Sequence, residues 1–304
     1  MKVEVAIVGG GPAGLNAALV LGRARRSVAL LDDGKPRNRV THASHGFLTR
    51  DGITPSEFRR IAYEEVLRYP SVRHYPSEAV SARISEGGFE LRTASGDVVQ
   101  ARKLILSAGL KEKLPDIEGI GDYYGKSLFV CPFCDGWELR DQPLAIVTDQ
   151  PDAYHKAKLL MNWTRDLVVC THGRAELLSE GQRRELADRN IKIVDERVAA
   201  FEGEHGRLQR IAFADGTRIA RTGGFVSPEL LPYVRFENAL GYESTAHGGI
   251  VADAMGKTSV PGLFAAGDAA YVMPSQLIYA AASGSKAAMA VMAELTEENW
   301  HTRS

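Results

Sequence analysis

At 304 residues, with 44% hydrophobic and 25% charged side chains, the chain is long enough for about two domains, each with its own core. A formal net charge of -1 offers no cationic excess for nucleic acid or an anionic membrane surface, and no nucleic-acid or membrane partner is expected. No apolar run approaches the roughly 20 residues of a membrane span: the nearest, 277–295, is interrupted by Ser283, Ser285 and Lys286.

The opening MKVEVAIVGGGPAG is not a secretory signal, because Glu4 interrupts a short apolar run that ends in a glycine turn. Three cysteines do not make a disulfide scaffold, so a reducing cytoplasm is the expected compartment. Residues 3–8, VEVAIV, read as a short buried strand. The strand runs into Gly9-Gly10-Gly11-Pro12-Ala13-Gly14, after which Leu15, Ala18, Leu19, Leu21 and Gly22 recur at helical spacing. A second strand, SVALL at 27–31, ends at Asp32-Asp33. Strand, glycines, helix, strand and acid in this order form a dinucleotide fingerprint. Gly9 makes the tight turn, Gly11 lets backbone approach a pyrophosphate, and Gly14 lets helix and strand pack closely. The pyrophosphate sits at the helix N-terminus, and a carboxylate after the second strand accepts from the ribose hydroxyls. Asp32, the first residue past the strand, is preferred to Asp33 for that role.

VCPFCDGWE, residues 130–138, sets Cys131 and Cys134 three apart. A structural zinc site needs four ligands. The remaining cysteine is Cys170, there is no second CxxC, and His155 and His172 lack ligand-pair spacing, so no metal is expected. A static cross-link closing so short a loop would stabilise little. A redox pair is the reading left: one thiolate attacks a sulfur, the second resolves the product, and a nearby proton carrier sets the thiolate content. Phe133 and Trp137 flank the pair as candidates for a substrate surface, with packing preferred for Phe133. Leu144–Val147 reads as a strand followed by a helix from about Asp152. Cys170, in the apolar strand LVVC, is expected to be an inert buried thiol. RRELADRN (183–190) reads as a solvated helix, and RIAFADGTRIA (210–220) as a hairpin turning at Asp215-Gly216. Near the far end a strand, LFAAGD at 263–268, precedes a long helix that begins near Ser275-Gln276.

Pro261-Gly262 followed by Leu263-Phe264-Ala265-Ala266-Gly267-Asp268 resembles the second FAD motif of two-dinucleotide-binding flavoproteins. There the Asp binds the ribityl or phosphate, and the following helix aims its N-terminus at the flavin ring. The resemblance adds Gly267, Asp268, Gln276 and Leu277 to the FAD-contacting set formed by Gly9, Gly11, Pro12, Ala13, Gly14 and Asp32. LILSAG (104–109), ending at Gly109, resembles the middle motif that leads into the interdomain crossing. With CPFCDG, the chain from Gly9 to about Ala288 resembles the low-molecular-weight thioredoxin reductases and their relatives. This implies an α/β fold of two Rossmann-like domains: a discontinuous FAD domain, 1–113 and 246–304, and a smaller inserted NADPH-like domain, 114–245, carrying the CxxC. It also implies a homodimer, with Cys134 facing the flavin, Cys131 as interchange thiol and Asp135 as acid/base. For Asp135 the alternative is a local capping role.

Three departures concern the nicotinamide. The family's inserted domain carries GxGxxA after its first strand, but here Thr148 and Gln150 hold the glycine positions and only Ala153 is kept. A Cβ then stands where backbone must touch pyrophosphate, and Asp149 and Asp152 add negative charge. His172-Gly173-Arg174 falls where the family has His-Arg-Arg, and Ser275 replaces an Arg before Gln276. Weak or absent NADPH binding is expected, the alternative being a divergent loop that still binds it. Relatives with this loss include flavin-dependent dithiol oxidases, which pass electrons to oxygen, and enzymes fed by ferredoxin. GKPRN (34–38) and HASHGFLTRDG (42–52) resemble the oxidase branch and place Arg37, Asn38 and His45 near the flavin, with His42 and His45 as candidate proton carriers. Asp135 departs from that branch, which has His after the second Cys.

The expectation is an FAD-dependent thiol–disulfide oxidoreductase oxidising a small dithiol, with oxygen as acceptor. The alternatives are a reductase of a thioredoxin-like protein fed by NADPH or ferredoxin, and a non-catalytic flavoprotein binding module. The intact CPFCDG argues against the last.

Overall fold

β1 (Lys2–Val8) is buried along nearly its whole length because parallel neighbours flank it on both sides. In the computed structural model, which describes residues 1–271 and 276–301, β1 leads into α1 (Pro12–Arg23), with Pro12 in the first turn, where a missing N–H costs nothing. There follow β2 (Val28–Leu31), α2 (Pro55–Leu67), β3 (Val72–Tyr75), β4 (Ala79–Ser85), β5 (Gly88–Thr93), β6 (Val98–Leu106) and β7 (Leu110–Lys113). The Thr54 hydroxyl caps α2 by accepting from the Glu57 N–H.

The inserted portion contains α3 (Ile120–Tyr123), β8 (Leu128–Phe129), α4 (Pro132–Asp135), β9 (Leu144–Val147), α5 (Ala153–Leu160), β10 (Leu167–Cys170), α6 (Glu180–Ala187), β11 (Lys192–Val194), β12 (Val198–Glu204), β13 (Arg207–Phe213), β14 (Arg218–Ala220), β15 (Gly223–Val226) and β16 (Glu229–Pro232). The chain closes with α7 (Glu237–Leu240), β17 (Leu263–Ala265), α8 (Asp268–Tyr271) and α9 (Leu277–His301).

Two units result, the first from residues 1–39, 46–111 and 230 onward, the second from 40–45 and 112–229. In the first, a seven-stranded sheet runs β3-β2-β1-β6-β5-β4. On the edge away from β1, β6 serves two partners: its start pairs antiparallel with β5, and its end pairs parallel with β17, the seventh strand. Strand alternation divides the core: Val5, Ile7, Val28, Leu30 and Phe264 pack on one face with α1 and α9, while Ala6, Val8, Ala29, Leu31 and Leu263 pack on the other with β4, β5 and α7. In the second, a parallel sheet β11-β10-β9-β15-β8 carries α5 and α6 on one face. The antiparallel β12-β13-β14 covers the other face. Both are Rossmann-like α/β units.

The hairpin turns at Asp215-Gly216 between β13 and β14, and residues 183–190 carry most of α6, as expected. The return crossing lies at 229–230, where the sequence pattern suggested 245–246. Phe236, Leu240 and Tyr242 explain the difference, since their side chains belong to the same core of the first unit as residues of β4 and β5. The C-terminal strand is shorter than 263–268 because Gly267 turns the chain at φ +66°. Among the described residues no helix is long and apolar enough to cross a membrane. Ser275 lies outside the described residues.

Candidate active site

The glycine turn after β1 is held from below. Gly9 adopts φ +103°, and a Cβ there would come within 2.5 Å of the Ser107 carbonyl, at the end of β6. Ser107 completes the junction by donating its hydroxyl to the carbonyls of Val8 and Gly9, at 3.0 and 3.1 Å. Gly11 behaves in the opposite way: a Cβ on it would meet no protein atom within 4 Å. It borders an open cleft at the start of α1. Among the sequence-predicted residues, Gly9, Gly11, Pro12, Ala13, Asp32, Arg37, Asn38, Gly109, Gly267, Asp268 and Leu277 line this cleft. Gly14 lies beneath it, where a Cβ would be 1.8 Å from the Gly9 carbonyl oxygen.

Across the cleft Arg37 pairs with Asp268 at 3.1 Å. Asp32 faces inward: its carboxylate accepts from the N–H of Gly10 (2.8 Å), the N–H of Gly34 (3.1 Å), the Tyr63 hydroxyl (2.9 Å) and Arg59. Burial opposes ionisation there, but Arg59 and these donors hold the carboxyl below its ordinary range. Asp33 accepts from Tyr233 at 2.7 Å. Arg59, Tyr63 and Tyr233 escaped the sequence reading; the only available sign was Arg59 and Tyr63 at i,i+4 on α2. Gln276 sits just before α9, its amide nitrogen 3.0 Å from where a Gly46 Cβ would stand. His45 does not line the cleft but belongs to the second unit, and His42 is exposed.

In the second unit, Cys131 precedes α4 and Cys134 lies within it; the two form a disulfide, with Cα atoms 5.3 Å apart. The Cys131 carbonyl accepts from the N–H groups of Cys134 and Asp135, which keeps both sulfurs on one turn. Burial, with Glu138's charge adding to it and His45 opposing, pushes the Asp135 carboxyl up to about 7. Phe133 and Trp137 are each 64% exposed, so Phe133 does not take the packing role expected of it; its ring stands perpendicular to that of Trp163, with centroids 5.9 Å apart. Arg140 lies over the Trp137 ring at 4.1 Å. Cys170 is fully buried, and burial pushes its thiol up to about 12, out of reach of thiolate chemistry.

Residues 3–284 match the family model described as pyridine nucleotide-disulphide oxidoreductase. The chain belongs to that family. It is 32% identical to thioredoxin reductase aclD of Aspergillus oryzae, with 95% of each chain covered. It is 27% identical to the thioredoxin reductase of Helicobacter pylori, over 96% of this chain and 99% of that one. Among solved structures, TrxB from Bacillus anthracis superimposes with a TM-score of 0.94 at 43% identity, over 98% of this chain and 99% of that one. HlmI gives 0.93 at 36% identity, over 99% and 95%. This pyridine nucleotide-disulphide oxidoreductase is thus an FAD-dependent enzyme of the thioredoxin-reductase-like kind.

The cleft of the first unit fits FAD. The open space over Gly11 admits a pyrophosphate to the first turn of α1. Asp268 and Arg37 line the same cleft and pair with each other there. In the second unit the corresponding turn, between β9 and α5, is filled by its own side chains. Thr148 donates to Asp152 (3.0 Å), Asp152 pairs with Lys156 (2.8 Å), and Ser227 accepts from Lys156 (2.6 Å) while donating to Asp152 (3.1 Å). The Gln150 N–H is spent on the Thr148 hydroxyl at 3.0 Å. Farther on, Arg174 is paired with Glu176, and the His172 Nδ1 accepts from the Val198 N–H at 3.1 Å.

Proposed function

We propose that this FAD-dependent oxidoreductase works without a nicotinamide, oxidising a dithiol to a disulfide at Cys131 and Cys134, with dioxygen as the final acceptor. The closed Thr148–Asp152–Lys156–Ser227 network carries this reading. A phosphate-binding turn presents free N–H groups and no nearby carboxylate. Here Asp152 stands at the start of α5, and its cationic neighbour is already neutralised.

FAD, when bound, supplies the two-electron exchange with the thiol pair and with oxygen. The chain's own steps are exchange reactions. A substrate thiolate attacks the Cys131 sulfur, the Cys131–Cys134 bond breaks, and Cys134 leaves as thiolate. The second substrate thiol then attacks the mixed disulfide, which releases the product disulfide and frees Cys131. Two electrons and two protons leave the substrate, and dioxygen carries both away as hydrogen peroxide. Asp135, with its carboxyl near 7, takes up and returns the proton at neutral pH. The exposed rings of Phe133 and Trp137 give the substrate an apolar surface beside the sulfurs.

A second reading, a reductase of a thioredoxin-like protein fed by NADPH or ferredoxin and acting as a homodimer, is favoured by the names of the relatives and by Asp135 after the second cysteine. Anaerobic titration of the holoenzyme decides. Dithiothreitol should bleach the flavin absorbance, while micromolar NADPH should leave it unchanged. Rapid bleaching by NADPH would overturn the nicotinamide-free reading and establish the reductase. No bleaching by either reductant, with Cys134→Ser keeping every measurable function, would overturn both in favour of a binding module.

A further inference from the structure

Three consecutive glycines follow β1, and the turn and the open cleft account for only two of them. Gly9 takes the positive φ and Gly11 faces empty space, but a Cβ on Gly10 would stand 2.2 Å from the Tyr63 hydroxyl and 2.7 Å from the Asp32 carboxyl carbon. Gly10 is thus roofed by protein. The roof comes from α2, where Arg59 and Tyr63 lie one turn apart. Arg59 donates to the Gly10 carbonyl at 3.1 Å, to the Tyr63 hydroxyl at 3.2 Å and to Asp32. Because the Tyr63 hydroxyl accepts from Arg59, its single proton goes to Asp32, at 2.9 Å.

The two carboxylate oxygens of Asp32 are loaded unequally. Oδ2 takes three donors, Arg59, Tyr63 and the Gly34 N–H, whereas among the described residues Oδ1 accepts from the Gly10 N–H alone. An ionised carboxylate offers about two acceptor positions on each oxygen, so Oδ2 is full and Oδ1 has one position left. Asp32 and Arg59 both line the cofactor cleft. We infer that Arg59 and Tyr63 are positioning residues for FAD: they occupy Oδ2 of Asp32 and leave Oδ1 for the cofactor, so that the carboxylate accepts from one hydroxyl of the adenosine ribose and not from both. The inference rests on Asp32 as the ribose-binding carboxylate. Arg59 also keeps that acceptor anionic in a side chain only 10% exposed, and a hydrogen bond to a charged acceptor is the stronger kind.

The test compares FAD with its 2′-deoxyadenosine and 3′-deoxyadenosine analogues, titrated into the FAD-free protein and followed by flavin fluorescence. On the wild type, one analogue should bind at least about tenfold more weakly than FAD and the other within about twofold of it. Weakening by both analogues would overturn the inference and leave the role of Asp32 standing. Weakening by neither would remove that role, and the inference with it. These outcomes are read on the wild-type chain, so no variant has to fold. The double variant Arg59→Met, Tyr63→Phe leaves Oδ2 with only the Gly34 N–H, and the hydroxyl that was silent in the wild type should now count as much as the other. Arg59→Lys, which keeps a cation beside Oδ2, should keep the wild-type pattern. A role of α2 in packing alone would weaken all three cofactors in proportion; if the double variant does that, with the silent hydroxyl still silent, the inference is overturned.

Discussion

At the scale of single residues, the buried Asp135 carboxyl makes stability depend on pH. The carboxyl moves from an ordinary 3.8 to about 7 in the fold, so the native state holds this proton more tightly than the unfolded chain does. The resulting stabilisation is complete below about pH 4 and is lost as pH rises through about 7, and at 1.36 kcal/mol per unit it amounts to at most about 4 kcal/mol. Asp135→Asn should therefore flatten the fall in stability of the oxidised protein between pH 5 and 8, measured by denaturant midpoints; an unchanged slope would contradict the assigned environment. Beside it, Phe133→Ala should raise KM for an apolar dithiol severalfold with little effect on kcat, since the ring is exposed and contributes little to the core. A fall in kcat with KM unchanged would count against a binding surface there. The cysteine pair and the glycines after β1 stood out because their spacing is local, whereas Asp268 was picked out only by the resemblance of its motif. Arg59, Tyr63 and Glu138 were not legible, because their partners Gly10, Asp32 and His45 lie far off in the chain and only the fold brings them together. Asp32 shows the same limit from another side. Its place after β2 was readable, but the four donors that turn its carboxylate inward were not.

At the scale of elements, the β9–α5 turn shows how a nucleotide-type βα unit keeps its strand and helix while its mouth changes character. The strand Leu144–Val147 and Ala153 at the start of α5 are in place, and both were visible as pattern. The closing network was only half visible. Asp152 could be read as a charge at the wrong end of a helix, but Ser227, just past β15, arrives from across the sheet. A triple variant, Thr148→Gly, Gln150→Gly, Asp152→Ala, removes the two Cβ atoms and the carboxylate together and leaves Lys156 without its ion-pair partner. It should bleach its flavin with NADPH at concentrations at least tenfold below any at which the wild type responds. Because the Asp152–Lys156 pair is partly exposed, losing it should cost no more than about 1 kcal/mol. Failure to gain a response would mean that features outside this turn, such as the Arg174–Glu176 pair, close the site.

At the scale of the whole molecule, the first unit exists only because its sheet is completed by chain that returns after the insertion. β17 adds to the end of β6, and α9 covers the face of β1 and β2 that α1 alone would leave bare. The closest approach in that layer is at Ala13, touched from two sides by glycines of the returning chain. A Cβ on Gly267 would stand 2.9 Å from the Ala13 Cβ, and one on Gly284 only 1.9 Å from the Ala13 carbonyl oxygen. Gly284 was readable merely as one small residue among many in a helix; that it admits the backbone of α1, whose first turn borders the FAD cleft, follows from the fold alone. Gly284→Val must push α9 away from α1, at a cost of about 3 kcal/mol for overpacking. The variant should release FAD at a lower temperature than the wild type and bind added FAD more weakly. The second unit has cores of its own, so after reduction Cys131 and Cys134 should still react as two accessible thiols while Cys170 stays protected. Loss of FAD with the thiol pattern intact would show that the α1–α9 contact serves the cofactor cleft; exposure of Cys170 in the same variant would show instead that the two units unfold as one.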